Sequence, residues 1–395
     1  MPRQIISKSS IFSETVTSSF AGAVLSINLD ALTQNYQLLT KKLCGNKPSA
    51  VVKADGYGLG ALPISITLAN AGCRIFFVAN LEEGCRLRDG ISNTGIDEFT
   101  DIEIHVLSGL MPNTEEEYKS SKLIPVLNSL DQINNWQLYC QNIRQYLPCD
   151  IHIDTGMNRL GLPPNELAKL KKEKKRIKNL NISLIMSHLA CADNPNHTKN
   201  KEQLNLFKNT RRILPQGRAS LANSSGIFLG SDYHFDLARP GAALYGLEPF
   251  PGQANPMEQV VKLQGKIAQI RDIDTPQTVG YGATHITKGP ARVATVSAGY
   301  ADGYFRYLSG KGTGFIKGYP VPIVGRISMD LITFDITSVP PDLCPIGTLV
   351  DLIGPENPID IIARDAGTIG YEILTSLGNR FHRRYLSINQ IGKQL

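Results

Sequence analysis

The sequence predicts an α/β fold: a (β/α)8 TIM barrel followed by a mostly-β C-terminal domain. Three observations carry this. Short apolar runs alternate with helix-spaced segments over the first two thirds of the chain, a Pro/Gly-rich linker follows at 249–259, and β-like runs separated by turn clusters fill the remainder. With 395 residues there is room for a barrel of about 250 residues and a second domain behind it.

Eight runs read as barrel strands: 49–53, 75–79, 103–107, 123–127, 150–154, 182–188, 219–223 and 234–239. They are short and, taken together, rich in branched residues, as strands buried on both faces are. Between them, 61–71, 81–89, 130–146 and 165–179 carry apolar residues at helical spacing. The turn from 223 to 234 is tight for a crossover. After the linker come β runs at 260–273, 291–297, 322–327, 331–336 and 348–353, with turn clusters at 311–314 and 339–341, and helical periodicity returns at 363 and 372–377. The domain reading is a flexible tail over 1–22, a barrel over 23–250 and a C-terminal β domain over 260–395. The polar, Ser/Thr-rich start has no apolar stretch behind a basic end, so it does not read as a secretion signal.

Composition narrows the class. An apolar content of 42% with 19% charged residues is that of a soluble globular enzyme, and no run approaches the ~20 apolar residues of a membrane span. The net charge of +6 is partly local to KLKKEKKRIK (169–178). No aromatic residues interleave with it for base stacking, so it reads as a solvated helix face and no nucleic-acid partner is expected. The seven cysteines are scattered without a C-x-x-C spacing, which fits reduced thiols in the cytoplasm. His152, His188, His197, His234 and His285 show no ligand spacing, so no metal is expected.

The chemistry begins at Lys53. A branched strand delivers this lysine, and the chain passes at once into the glycines of DGYGLG (55–60), where backbone can approach a ligand closely. An amine held in a partly desolvated site loses its proton readily, and Tyr57 can donate to a phosphate; the pair suits covalent attachment to pyridoxal phosphate. A solvated loop lysine reads equally well from this stretch alone. Asp154 with Arg159, His188, Asn223 with Ser224, and Arg239 also fall at or just past strand C-termini, the face where barrels carry their chemistry. One mouth collects them.

The string SAVVKADGYGLG (49–60) and, in order, IDTGMNRLG (153–161), SHLACAD (187–193), ANSSG (222–226), ARPGAALYG (238–246), VGYGATH (279–285), SAGYADGY (297–304), VGRISMD (324–330) and GYEILTSLGNR (370–380) resemble the motifs of alanine racemases, the barrel-type, pyridoxal-phosphate-dependent amino-acid racemases. The resemblance implies that Lys53 carries the cofactor and acts as one base, with Tyr281 the base on the opposite face of the substrate Cα. Tyr57, Ser224 and Tyr371, with Asn223 and the amides around Gly241 and Ala242, would hold the phosphate. Arg239 would face the pyridine nitrogen, with His188 beside it as a cationic neighbour favouring the Tyr281 phenolate. A guanidinium can only donate, so the ring nitrogen stays unprotonated and the electron sink is weakened, which suits racemisation better than transamination or decarboxylation. Arg159 and the amide of Met329 would meet the substrate carboxylate. Tyr300, Asp302 and Arg306 would shape the entrance, with Asp330 supporting them or serving as a turn residue.

The resemblance further implies that the opening strand at 23–29 joins the β domain, that the substrate is a small amino acid, and that the protein is a homodimer whose active site is shared between subunits. The implied activity interconverts L- and D-alanine and supplies D-alanine for peptidoglycan; a broad-specificity racemase acting on serine is the alternative. Two positions depart from the family pattern. His152 stands where many racemases carry a lysine modified to a carbamate, and Ser328 where a cysteine is common.

Overall fold

The computed structural model describes residues 20–44, 48–173, 176–177, 180–212, 214 and 217–387. Nearly all of the expected tail and part of the basic run lie outside the described residues. The chain opens on β1 (Ala23–Asn28), and Asn28 caps α1 (Leu29–Lys42) by accepting from the amides of Asp30 and Ala31. Strand and helix then alternate: β2 (Ala50–Val51), the turn α2 (Lys53–Tyr57), α3 (Ala61–Asn70), β3 (Ile75–Val78), α4 (Leu81–Asn93), β4 (Glu103–Val106), α5 (Glu115–Ser120), β5 (Ile124–Leu127), α6 (Leu130–Asn142), β6 (Pro148–His152), α7 (Pro164–Lys172), β7 (Asn181–Met186), α8 (Lys199–Arg211), β8 (Arg218–Ser220) and α9 (Ser224–Phe228). Strands β2 to β8 form one parallel sheet in sequence order. Asn80, Ser129 and Asn223, each just past a strand, cap the helix that follows by accepting from its third amide. That local chemistry turns the chain at the mouth of the barrel.

The eighth strand expected at 234–239 is not a strand. The amides of Asp236 and Leu237 both donate to the Ala219 carbonyl, and that of Arg239 donates to Ala222 at 2.8 Å. On the other side, the amides of Ser49 and Val51 donate to the carbonyls of Ala238 and Pro240 at 3.0 and 2.9 Å. This irregular stave therefore bridges β8 to β2. Its geometry breaks because Pro240 has no N–H and two amides share one carbonyl.

The C-terminal domain is built on β9 (Val261–Ile273), whose first half alternates buried and half-buried residues as a strand with one core face should. Around it lie β10 (Thr278–Val279), β11 (His285–Ile286), β12 (Ala291–Ser297), β13 (Thr313–Ile316), β14 (Tyr319–Pro322), β15 (Leu331–Asp335), β16 (Leu349–Ile353) and β17 (His382–Leu386), with α10 (Ile359–Asp365) and α11 (Gly370–Ser376). β1 pairs antiparallel with β9 and parallel with β17, so the first strand of the chain lies in the last sheet. Two expectations are corrected here. The run 322–327 is not a strand, since β14 ends at Pro322 and Ile323 makes only an isolated bridge to Phe334, and the turn cluster at 311–314 overlaps β13. β14 is an edge strand carrying two prolines, a composition that hides an edge from propensity reading. One apolar core runs from Ala23 to Phe381 through both halves.

Candidate active site

Lys53 follows β2 after Val52, at the start of a left-handed turn. Ala54, Asp55, Gly56, Tyr57 and Gly58 all have φ between +52° and +79°. For the three residues that are not glycine this conformation is costly, about 1–2 kcal/mol each. It is held in place by amides donating from Gly56 to Val52 at 2.8 Å and from Gly58 to Ala54 at 2.7 Å. Glu83, on α4, accepts from the amides of Ala54 and Ala79 at 2.8 Å each and so ties the end of β2 to the end of β3. From the C-terminal domain, the Tyr385 hydroxyl donates to Leu59 at 2.8 Å and Arg383 to Gly58 at 2.5 Å. Lys53 is thereby fixed at the barrel mouth.

That mouth is a cavity of about 440 Å³ lined by Lys53, Tyr57, Arg159, His188, Asn223, Ser224, Arg239, Gly241, Ala242 and Tyr371, all expected there, together with His152, Met186, Leu107 and Leu160. Three cationic side chains face it, and among the described residues no carboxylate lines it. Such a site wants an anion. Burial, and then Arg159, push the Lys53 amine below its usual range, with Glu83 opposing.

The anion-binding corner is built from backbone and hydroxyls. The Ser224 Oγ accepts from the amides of Gly241 and Ala243 at 3.0 and 3.1 Å, so in this state Gly241 turns its N–H inward to Ser224. Tyr57 stacks on Tyr245 at 4.5 Å, and the Tyr245 hydroxyl donates to Val51 at 3.1 Å. A Cβ at Gly241 would overlap the Tyr57 hydroxyl, so the absence of a side chain there is what admits the phenol.

Arg239 is buried and held by neutral groups. It donates to the Ser220 hydroxyl, to the Ser187 carbonyl at 2.5 Å and to His188 Nδ1 at 3.4 Å. Because the guanidinium can only donate, Nδ1 of His188 carries the lone pair and Nε2 the proton. Burial, Arg239 and Arg159 hold the His188 pKa well below the usual histidine range, so His188 is neutral. The expected cationic neighbour for a phenolate is thus absent at this position. His152 is neutral too, pushed down to about 3 by burial and Arg239. Asn128 donates both amide hydrogens to the carbonyls of Leu107 and Val126, so its Oδ1, 2.8 Å from His152 Nδ1, accepts, and Nε2 of His152 is left as a neutral acceptor. Where a carbamate would supply an anion, this chain supplies an uncharged nitrogen. Arg159 itself projects from a turn whose amides at Gly156, Met157 and Asn158 all donate to the Asp154 carboxylate.

The remaining expected residues do not line this cavity. Tyr281, Met329 and Tyr300 are 73%, 53% and 42% exposed on the C-terminal domain, and Arg306 is exposed nearby. Asp302 and Asp330 are joined by Arg380, at 2.7 and 2.8 Å, which clamps the Gly299–Gly303 loop to the Met329 segment. Ser328 bonds within its own turn, to Leu331. Sequence reasoning assigned no role to Glu83, Asn128, Ser220, Tyr245 or Arg380, although Tyr245 and Arg380 lie within the strings 238–246 and 370–380. Glu83 had a signal of its own, an Asn three residues before an acidic residue at a helix start.

The alanine racemase N-terminal domain matches residues 27–249 and the alanine racemase C-terminal domain residues 260–385. The chain belongs to the alanine racemase family. It is 48% identical over 371 residues to the alanine racemase of Rhodospirillum rubrum, covering 94% of this chain and 97% of that one. It is 47% identical to the catabolic alanine racemase of Mesorhizobium japonicum, over 94% of this chain and 95% of that one. Among solved structures, the alanine racemase of Bartonella henselae with covalently bound pyridoxal phosphate superposes with a TM-score of 0.87 at 42% identity, covering 93% of this chain and all of that one.

Proposed function

We propose that this alanine racemase family member interconverts L- and D-alanine with pyridoxal 5'-phosphate as cofactor. The observation that carries the reading is the cavity: a lysine whose amine is pushed below its usual range by burial and Arg159 shares it with two arginines, hydroxyls and helix-start amides, and among the described residues no carboxylate lines it. Those groups fit the cofactor. Lys53 would hold it covalently; Tyr57, Ser224, Asn223, Tyr371 and the backbone at Gly241 and Ala242 would surround its phosphate; and Arg239 would donate toward its ring nitrogen. The missing Cβ at Gly241 admits the Tyr57 hydroxyl to that corner, where it would reach the phosphate. When bound, pyridoxal phosphate supplies an electron sink for the pair left at the substrate Cα.

The chain's own residues do the rest. The Lys53 amine takes or returns the α-proton on one face, Tyr281 does so on the other, and Arg159 holds the substrate carboxylate together with the amide of Met329. Tyr281 does not line the cavity of its own chain, and its exposure with that of Met329 and Tyr300 supports a homodimer in which each subunit completes its partner's site. Asp302, Arg306 and Asp330 belong to the entrance of that shared site. The seven free cysteines suit a cytoplasmic enzyme. Among the described residues no helix is long and apolar enough to cross a membrane. The product would serve peptidoglycan precursor synthesis.

The test is incubation of the cofactor-loaded protein with L-alanine in deuterium oxide, followed by chiral chromatography and mass spectrometry. D-alanine carrying α-deuterium is expected; its absence sinks the reading, and faster conversion of serine would select the broad-specificity alternative.

A further inference from the structure

Below the cavity floor lies a charged cluster that the reaction does not use. In the β6–β7–β8 register, His152, Met186 and Ser220 form one rung, and Asp150, Leu184 and Arg218 the rung two residues earlier. Residues two apart on a strand share a face, so Asp150 lies on the face of His152 and Met186, which line the cavity, one layer deeper by about 6.6 Å of strand rise. Asp150 is fully buried. Its Oδ2 lies 2.5 Å from His105 Nδ1, and His105 Nε2 lies 3.2 Å from Glu103, which is paired in turn with Arg218 at 2.8 Å toward the barrel's lower rim. The other oxygen, Oδ1, is buried without a hydrogen-bond partner.

Arg239 stands above with the complementary deficit. It is 3% exposed, and its recorded partners, Ser220, Ser187 and His188, are all neutral. A buried cation without a counter-charge is costly, and so is a buried carboxylate oxygen without a donor. We propose that Asp150 is a positioning residue for the site, the counter-charge one layer below the floor that keeps the buried Arg239 guanidinium charged and in place against Ser220. The direction of the electrostatics agrees. Burial pushes Arg239 down to about 10, and Asp150 opposes it. Burial also raises the Asp150 carboxyl itself, and the charges that answer it are His105 and then Arg218, so it is the layer spacing and the unpaired Oδ1 that point to Arg239. The proposal rests on the assignment of Arg239 to the cofactor site, and its test is chosen to stand apart from racemase activity.

A double-mutant cycle on the full-length protein decides it, with Asp150→Asn, Arg239→Gln and both together, read as melting temperature. Asp150→Asn should lower the melting temperature by several degrees in the native background and by less than half as much when Arg239 is already Gln. Equal losses in both backgrounds would leave Asp150 as the partner of His105 alone and overturn the proposal. If Asp150→Asn by itself does not fold, the double variant should, since it also removes the buried guanidinium left without its counter-charge; a double variant that also fails to fold overturns it. Where Asp150→Asn folds, fluorescence titration should show pyridoxal phosphate binding about tenfold weaker, an effect that general loosening of the barrel base would not produce at temperatures well below the melt. Unchanged affinity counts against Asp150 acting through Arg239.

Discussion

Gly241 shows how one missing side chain builds the anion corner. A Cβ at Gly241 would overlap the Tyr57 hydroxyl, so Gly241→Ala should displace that hydroxyl from the turn. The expected outcome is a cofactor affinity at least about tenfold weaker at temperatures well below the variant's melt; wild-type affinity would show that Tyr57 is not held against this turn. Lys53 can be tested as directly. Lys53→Ala should purify without covalent cofactor and racemise neither enantiomer, and borohydride-reduced cofactor mapped by peptide sequencing to another lysine would remove Lys53 from its role. These residues were legible because their signals are local, a lysine at a strand end and glycines after it. The charge states of His152 and His188 were not legible, since Asn128 and Arg239 set them from distant strands.

At the scale of elements, the left-handed turn after β2 is where local strain meets domain packing. Gly58 has φ +79°, and a Cβ there would lie 2.6 Å from the Leu374 carbonyl of α11. Gly58→Ala therefore combines a disfavoured backbone with a backbone contact that cannot swing aside, and a loss of roughly 2–4 kcal/mol is expected from the two effects together. Urea denaturation monitored by circular dichroism gives the measurement; a loss under about 1 kcal/mol would mean that α11 moves away freely. Four helices of the barrel, α3, α4, α6 and α7, were readable from apolar period, while α1, α5, α8 and α9 were not picked out by it. The eighth stave was not, because its apolar run 234–239 looks like its neighbours and only the shared Ala219 carbonyl and Pro240 break its ladder.

For the whole molecule, two predictions join the halves. If Tyr281 serves the partner's cavity, mixing inactive Lys53→Ala with inactive Tyr281→Phe should restore activity, since each heterodimer contains one intact site. Heterodimers that form but stay inactive would place both residues in one subunit's site. The second prediction concerns pH. His152 titrates near 3 and His188 well below its usual range, while an unfolded histidine titrates near 6.5, so below pH 6.5 the unfolded chain binds protons that the folded chain refuses. Stability then falls with acid, by up to about 1.4 kcal/mol per pH unit for each histidine. His105 runs the other way: burial opposes its protonation, but Asp150 and Glu103 outweigh it and raise it to about 9. Its stabilisation is complete below pH 6.5 and is lost as pH rises toward 9. Melting temperatures from pH 4.5 to 9 should therefore peak near 6.5, and a monotonic trend through that value would contradict the assigned charge states.

By itself the sequence determined what local chemistry can specify: the alternation of strand and helix, the lysine delivered into a glycine turn, and an ordered series of motifs spanning both domains. Each depends on residues within a few positions of one another, where periodicity and turn preference act. Tertiary structure alone decided which groups meet and in which charge state. A stave without a ladder bridges the barrel's outer strands, Asn128 and Arg239 set the charge states of His152 and His188, and Asp150 sits one layer below His152 against His105. The reason is physical: desolvation and Coulomb interaction depend on distance through space, and the carbonyls that fix Asn128, or the guanidinium that fixes His188, are brought close only when the whole barrel has closed.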